Sequence, residues 1–349
     1  MKAHTLLSVI AFCTVMMPFA ASADGQIGVR QIVAPSKERG VDLDVTVWYP
    51  AQPGGEPTVL GESVFFIGTP ALRDAPIAAG RFPLILLSHG AGIGGTAEAV
   101  SWIATPLARQ GFIVAAPTHP GNGGKKRSAL ETVKIWLRPA DLTQTLNAME
   151  KDTVFGPHLD AGKTGVLGLS MGGGTALAIA GARLDPSLLA GYCDTEARNP
   201  SFCEWMRQSG VDLHAIDMNA AGRDNEDKRI RFAMVIDPAP VDVFDLTSFS
   251  KVSIPVDLVN LGQTGALPAT VDASKVAKVI PAATYVTIGD ASHYSMFAMC
   301  KPGAAELADS EKIGDPICSD GGGRSRDAIH QQLIELTGAA FSRALKTAP

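Results

Sequence analysis

The pentapeptide Gly168-Leu169-Ser170-Met171-Gly172 constrains this chain more than any other feature. Before it runs the short apolar stretch Thr164-Gly-Val-Leu, and after it come the small residues Gly173-Gly174-Thr-Ala-Leu-Ala-Ile-Ala. The pattern predicts a strand, a sharp turn and a helix. Such a turn forces its serine into a strained backbone geometry that flanking glycines make room for, so the hydroxyl stands clear of the sheet. The N–H of Met171 then opens the helix and can face a developing oxyanion. In a chain with 36 glycines the pentapeptide alone is a modest signal. The strand before it and the helix after it make Ser170 a candidate nucleophile.

Around this turn the hydrophobic pattern predicts an α/β fold. Val41-Asp-Leu-Asp-Val-Thr-Val-Trp-Tyr alternates apolar and polar residues as a half-buried antiparallel strand does, with 29–33 as its hairpin partner. From Phe82 onward the strands become unbroken apolar runs at 84–87, 112–115, 166–167, 230–236, 254–261 and 284–288. Strands of that kind are covered on both faces, as in a parallel sheet. Helices are expected between them at 97–110, 139–151, 175–184 and 271–280, with a last one at 326–344. The whole predicts a mostly parallel, doubly wound sheet with antiparallel N-terminal strands. Residues 185–229 interrupt the alternation and are expected to be an insertion over the C-terminal edge of the sheet that helps shape a substrate pocket.

Composition narrows the setting. Lys2, the apolar run from Leu6 to Phe19 and the small residues Ala21-Ser22-Ala23 predict a secretory signal peptide over residues 1–23, cut after Ala23. The run falls short of the roughly 20 residues a spanning helix needs, so an uncleaved anchor is not expected, and neither is stable membrane insertion of the mature chain. Residues 24–349 are then read as one domain with the insertion at 185–229. A formal charge of −5 and the absence of a basic block beyond Lys125-Lys126-Arg127 argue against nucleic acid as a partner. Cys13 leaves with the leader, and four cysteines remain in an exported chain, an even count that suggests disulfides. Of three pairings, the local one, Cys193 with Cys203 and Cys300 with Cys318, pins two loops with little core of their own. Their spacing is not that of a zinc site, and no metal is expected.

A serine hydroxyl needs a base to take its proton, and the base needs an acid to hold its tautomer. In one chain order of this trio the serine comes first, then the acid, then the histidine. His293, in Gly289-Asp-Ala-Ser-His-Tyr, follows the last strand on a small-residue loop and is the candidate base. Two places can supply the acid, after the first or after the second strand beyond the nucleophile's helix. Asp237 ends the buried strand 230–236, where a carboxylate is costly unless something pairs with it. The other place reads Asn260-Leu-Gly-Gln, with no carboxylate until Asp272, the weaker candidate and an expected helix cap. Asp257 lies within a strand. A second oxyanion donor is expected from Ser88-His89-Gly90-Ala91-Gly92, with the N–H of Ala91 joining that of Met171. His89 is expected to brace this turn, and His119 to structure its own loop.

Taken together, Pro83-Leu-Ile-Leu-Leu-Ser-His-Gly-Ala-Gly, Leu107-Ala-Arg-Gln-Gly-Phe-Ile-Val-Ala-Ala, Gly168-Leu-Ser-Met-Gly-Gly and Ala291-Ser-His-Tyr resemble the α/β-hydrolases related to platelet-activating factor acetylhydrolase. In bacteria this group is often labelled predicted dienelactone hydrolase. The resemblance covers residues 82–297. It implies carboxylic-ester hydrolysis with the acid after the earlier strand, matching Asp237, and oxyanion donors matching Ala91 and Met171. Authentic dienelactone hydrolases carry cysteine at the nucleophile, where this chain has Ser170, and neither dienelactone nor phospholipid specificity is carried over.

The expectation is therefore an exported, periplasmic or secreted serine hydrolase acting on a small-molecule ester, short-chain or lipid-like, through an acyl-enzyme. It needs no cofactor. The alternatives are an amidase or peptidase using the same trio, and a non-catalytic binding protein on the same fold.

Overall fold

The computed structural model describes residues 25–346, and the expected leader with its cut after Ala23 lies outside them. Ten strands form one sheet: β1 (Gln26–Ser36), β2 (Val41–Ala51), β3 (Glu56–Leu60), β4 (Thr69–Arg73), β5 (Phe82–Ser88), β6 (Ile113–Pro117), β7 (Leu159–Leu169), β8 (Ile230–Ile236), β9 (Val256–Leu261) and β10 (Ala283–Ile288). Their order across the sheet is β10-β9-β8-β7-β5-β6-β2-β1-β4-β3. From β10 to β6 every neighbouring pair is parallel, while β2 runs antiparallel to both β6 and β1.

The helices are α1 (Ser101–Arg109), α2 (Ala129–Thr132), α3 (Arg138–Lys151), α4 (Met171–Ile179), α5 (Pro186–Ala190), α6 (Pro200–Gln208), α7 (Ser274–Ala277), α8 (Ala304–Ser310) and α9 (Arg326–Leu345). They cover both faces of the sheet, and the strands show the two-residue period this demands. Leu84 and Leu86 of β5 join the core formed with α3 and α4, whereas Ile85 and Leu87 join the core formed with α1 and α9. All nine residues of α4 are buried, which explains its run of glycine, alanine and leucine without a polar face.

Several expectations need correcting. The short strands β3, at the sheet edge, and β4, beside it, were not foreseen; each carries a proline, Pro57 and Pro70, a residue that weakens the sequence signal for a strand. The helix expected at 175–184 starts at Met171 and ends at Ile179. The one expected at 271–280 shrinks to α7. Residues 185–229 do form an excursion, containing α5 and α6, but they do not line the cleft beside Ser170. They bury Leu189, Cys203, Met206, Leu213 and Met218 in the core on the α3–α4 face. Disulfides join Cys193 to Cys203 and Cys300 to Cys318, the local pairing.

Candidate active site

Ser170 stands between β7 and α4 with φ 53° and ψ −122°, a left-handed conformation that L residues adopt only under constraint. The constraint is visible around it. Its carbonyl accepts from the N–H of Ala239 at 2.9 Å, and its N–H donates to Ile236 O at 3.0 Å. Gly172 passes so close to β5 that a Cβ there would lie 1.8 Å from Ser88 O, and a Cβ on Gly168 would lie 2.1 Å from Gly172 O. The two glycines that flank Ser170 in the pentapeptide are therefore steric necessities rather than compositional accident.

The side chains of Ser170, His293 and Asp237, from three separate loops, meet at this end of the sheet. Ser170 Oγ lies 3.1 Å from His293 Nε2, and His293 Nδ1 lies 2.8 Å from Asp237 Oδ2. The carboxylate partner requires the proton on Nδ1, so Nε2 is left as acceptor for the serine hydroxyl. Asp237 is fully buried while the His293 side chain is 30% exposed, so the imidazole is reachable and its orienting group is not. Asp237 also has positive φ, 47°, just past β8.

What holds the Asp237 carboxylate is a residue the sequence did not reveal. Asp237 Oδ1 accepts from Asn260 Nδ2 and from the N–H of Leu261, both at 2.7 Å. Asn260 also donates to Val271 O at 2.7 Å and accepts from Ala273 N at 3.0 Å and Tyr285 Oη at 3.1 Å. It occupies the end of β9, the place where the alternative acid was sought. Asp272 instead caps the turn leading into α7, accepting from Ser274 N at 2.9 Å. Asp257 bonds Thr284 and Arg343 on the sheet edge.

Beside Ser170 and His293 opens a cleft. Its remaining walls are Gly90, Ala91, Gly94, Ala99, Val100, Leu169, Met296 and Phe297, all without charge. Ala91, whose N–H is the expected oxyanion donor, is one of these walls. Met171 is the first residue of α4, and its side chain lines a separate small hollow with Ile135 and Phe244 on the other side of the turn. The turn His293–Met296 that carries the imidazole is gripped from several directions. Trp102 Nε1 donates to Met296 O at 2.9 Å, His330 Nε2 bonds Ser295 O at 2.9 Å, and Ser292 Oγ donates to Ser319 O at 2.6 Å. Phe297 stacks between Phe66 and Tyr294.

The other histidines have structural partners. His89 braces its turn and His119 its loop, both fully buried. His214 is exposed beside Asp194, and His158 bonds Gly80 O. Among the described residues no group of three or more His, Cys, Asp or Glu side chains is arranged to hold a metal ion, and no helix is long and apolar enough to cross a membrane.

A mostly parallel sheet with antiparallel N-terminal strands, and a serine on the sharp turn between strand and helix, define the α/β-hydrolase fold. Known proteins agree. The family description of platelet-activating factor acetylhydrolase, isoform II, matches residues 59–144, a stretch that includes the Ser88–Ala91 turn and stops before Ser170. In structure the chain is similar to a ferulic acid esterase from Streptomyces cinnamoneus, with TM-score 0.64 and 19% identity over 95% of this chain and 93% of that one. It is also similar to a dienelactone hydrolase from Anabaena variabilis, with TM-score 0.51 and 15% identity over 92% of this chain and 99% of that one. At these identities the likeness establishes fold. No curated protein matches the chain in sequence. The chain is an α/β-hydrolase in fold and resembles the platelet-activating factor acetylhydrolase and dienelactone hydrolase groups.

Proposed function

We propose that this chain is an exported serine esterase, residues 24–349 forming one catalytic domain, that cleaves carboxylic esters with a small apolar acyl part through an acyl-enzyme. The observation that carries this is the unbroken line Ser170 Oγ to His293 Nε2 and His293 Nδ1 to Asp237 Oδ2, ending at an uncharged cleft. Ser170 Oγ attacks the ester carbonyl carbon while His293 Nε2 takes its proton. Asp237 keeps the ring oriented and stabilises the imidazolium that forms. The carbonyl oxygen, now an oxyanion, is received by the N–H groups of Ala91 and Met171. Collapse breaks the ester bond, and the imidazolium returns the proton to the departing alkoxide, which leaves as an alcohol. Water then repeats the sequence on the acyl-serine and releases the acid.

The cleft supports the acyl assignment. With no Lys or Arg among its walls it offers nothing to a carboxylate on the substrate, and its alanine, valine, methionine and phenylalanine suit a short hydrocarbon chain. Two disulfides support an oxidising destination outside the cytoplasm.

The test is release of p-nitrophenol from acetate, propionate and butyrate esters by the mature protein. Ser170→Ala is expected to lower kcat by about five to six decades. A fluorophosphonate probe should label the wild type once, at Ser170, and leave Ser170→Ala unlabelled. Full turnover in Ser170→Ala, or an unlabelled wild type without turnover, would remove the proposal; the latter outcome is the signature of a non-catalytic binding protein.

A further inference from the structure

Beneath the cleft lies a second serine, histidine and aspartate in line, separate from the first. Ser88 Oγ is 2.9 Å from His119 Nε2, and His119 Nδ1 is 2.8 Å from Asp141 Oδ2. All three residues are fully buried, and none lines the cleft. No ester reaches Ser88, whose Oγ also accepts from Arg138 Nη2 at 3.3 Å. The line is therefore not a second nucleophile, and something else must justify so much polar chemistry in the interior.

Its connections show what it holds. The backbone N–H of His119 donates to His89 Nε2 at 3.0 Å, which makes that nitrogen an acceptor and puts the His89 proton on Nδ1. His89 Nδ1 then donates to Gly90 O at 2.7 Å. The Gly90–Ala91 peptide is trans, so the Ala91 N–H points away from the carbonyl that His89 holds. Gly90 itself lies against the nucleophile: a Cβ placed on it would sit 3.4 Å from Ser170 Cβ and 3.7 Å from Ser170 Oγ. His89 thus sets the direction of one particular N–H.

The rest of the cluster immobilises the two histidines. Arg138 donates to His89 O, to Asn122 Oδ1 at 2.7 Å and to Thr175 Oγ1 of α4 at 3.0 Å. Arg39, from the β1–β2 hairpin, forks onto Asp141 at 2.7 and 3.0 Å. Burial pushes both imidazoles well below their ordinary pKa, helped at His89 by His119 and Arg138 and at His119 by Arg138 and Arg39. Each ring is then neutral, with one donor and one acceptor, as the bonding pattern requires.

We propose that the buried Ser88–His119–Asp141 line, acting through His89, is a positioning device that aims the Ala91 N–H at the oxygen of the tetrahedral intermediate. His89 and His119 are positioning residues and touch no substrate. This rests on the esterase assignment above. It extends the residues the reaction depends on to the β1–β2 hairpin and α3, neither of which reaches the cleft.

The test compares His89→Ala with His89→Asn, whose amide N–H replaces the Nδ1 donor. Two readouts are taken on p-nitrophenyl butyrate and an alkyl trifluoromethyl ketone, which forms a tetrahedral oxyanion on an active serine. In His89→Ala, kcat is expected to fall about 100-fold, the low end for losing an oxyanion donor, with KM little changed. The ketone's Ki should rise by the same factor, because both report oxyanion stabilisation. His89→Asn should restore most of both. Should the alanine variant fail to fold, Ser88→Ala deletes a single oxygen from the line and should move kcat and Ki together. Unchanged kcat and Ki in His89→Ala, equal losses in the alanine and asparagine variants, or kcat and Ki moving independently in Ser88→Ala would each overturn the inference. An inactive, unlabelled wild type would instead strike the esterase assignment itself.

Discussion

Asn260 Nδ2 donates to Asp237 Oδ1 at 2.7 Å, so an amide at the end of β9 holds the carboxylate that orients His293. The same amide ties down Val271 O and Ala273 N, and it cannot be removed without leaving buried polar groups unpaired. Asn260→Ala is expected to lose about 1–3 kcal/mol of stability, read from urea denaturation. It should also lower kcat while leaving KM nearly unchanged. A variant as stable and as fast as the wild type would contradict this role.

The two candidate acids separate cleanly by substitution. Asp237→Asn removes the charge behind His293 and favours the wrong ring tautomer, so kcat should fall about 10⁴-fold. Asp272→Asn touches only the turn before α7, where an asparagine oxygen accepts from Ser274 N as well as a carboxylate does, and should leave kcat within twofold. Comparable losses in the two variants would reopen the choice of acid.

Acid should unfold this protein early. His89 and His119 lie well below their ordinary pKa and His330 is pushed down to about 4, burial being the first cause for all three. These groups stay neutral in the folded state while the unfolded chain takes up protons below about pH 6.5, so the unfolded state gains on acidification. The stability they contribute is fully present above pH 6.5 and is lost as pH falls from there. His330 alone accounts for about 3 kcal/mol between pH 6.5 and 4. Urea midpoints at pH 7.5, 6.0 and 5.0 should decline in that order; a flat series would count against buried neutral imidazoles.

The two disulfides have different consequences. Cys300–Cys318 anchors the chain next to Ser319, whose carbonyl accepts from Ser292, the residue before His293. Replacing both cysteines by serine should cost about 3 kcal/mol, from the loop length, and lower kcat as the His293 turn loosens. Removing Cys193–Cys203, within the 185–229 excursion, should lower stability without changing kcat. Thermal melts and steady-state rates on the two double variants distinguish these outcomes.

Gly94 and Phe297 meet at one wall of the cleft. A Cβ on Gly94 would lie 2.8 Å from the Phe297 ring, which Phe66 and Tyr294 already hold by stacking. Gly94→Ala should therefore lose activity on butyrate more than on acetate, and Phe297→Ala should shift preference toward octanoate. A single methylene in an apolar pocket is worth about 10- to 200-fold, so a graded ester series resolves the change.

Much of this was legible because local pattern and tertiary role coincide. The β7–Ser170–α4 turn shows itself by the change from an apolar run to small residues, and Asp237 by a carboxylate closing an unbroken buried strand. Asn260 was seen only as the lack of an acid, since its importance comes from a partner 23 residues away and no local signal marks an amide as a brace. The same holds for His119, whose partners Ser88 and Asp141 sit on a strand and a helix that sequence alone does not bring together. The 185–229 stretch was expected to be an insertion that helps shape a substrate pocket. Its apolar residues face the sheet-covering helices instead, a preference for core over cleft that composition does not encode.

Phe66 and Phe297 stack at 5.5 Å although about 230 residues separate them, and the N–H of Ile67 donates to Met299 O at 2.8 Å beside them. The cleft wall is thus a seam between the first and last quarters of the chain. Contacts this distant in sequence form late, after the loop between them has been ordered. During refolding, the central sheet should recover before this wall does, and ester hydrolysis should return only after most of the secondary structure is in place.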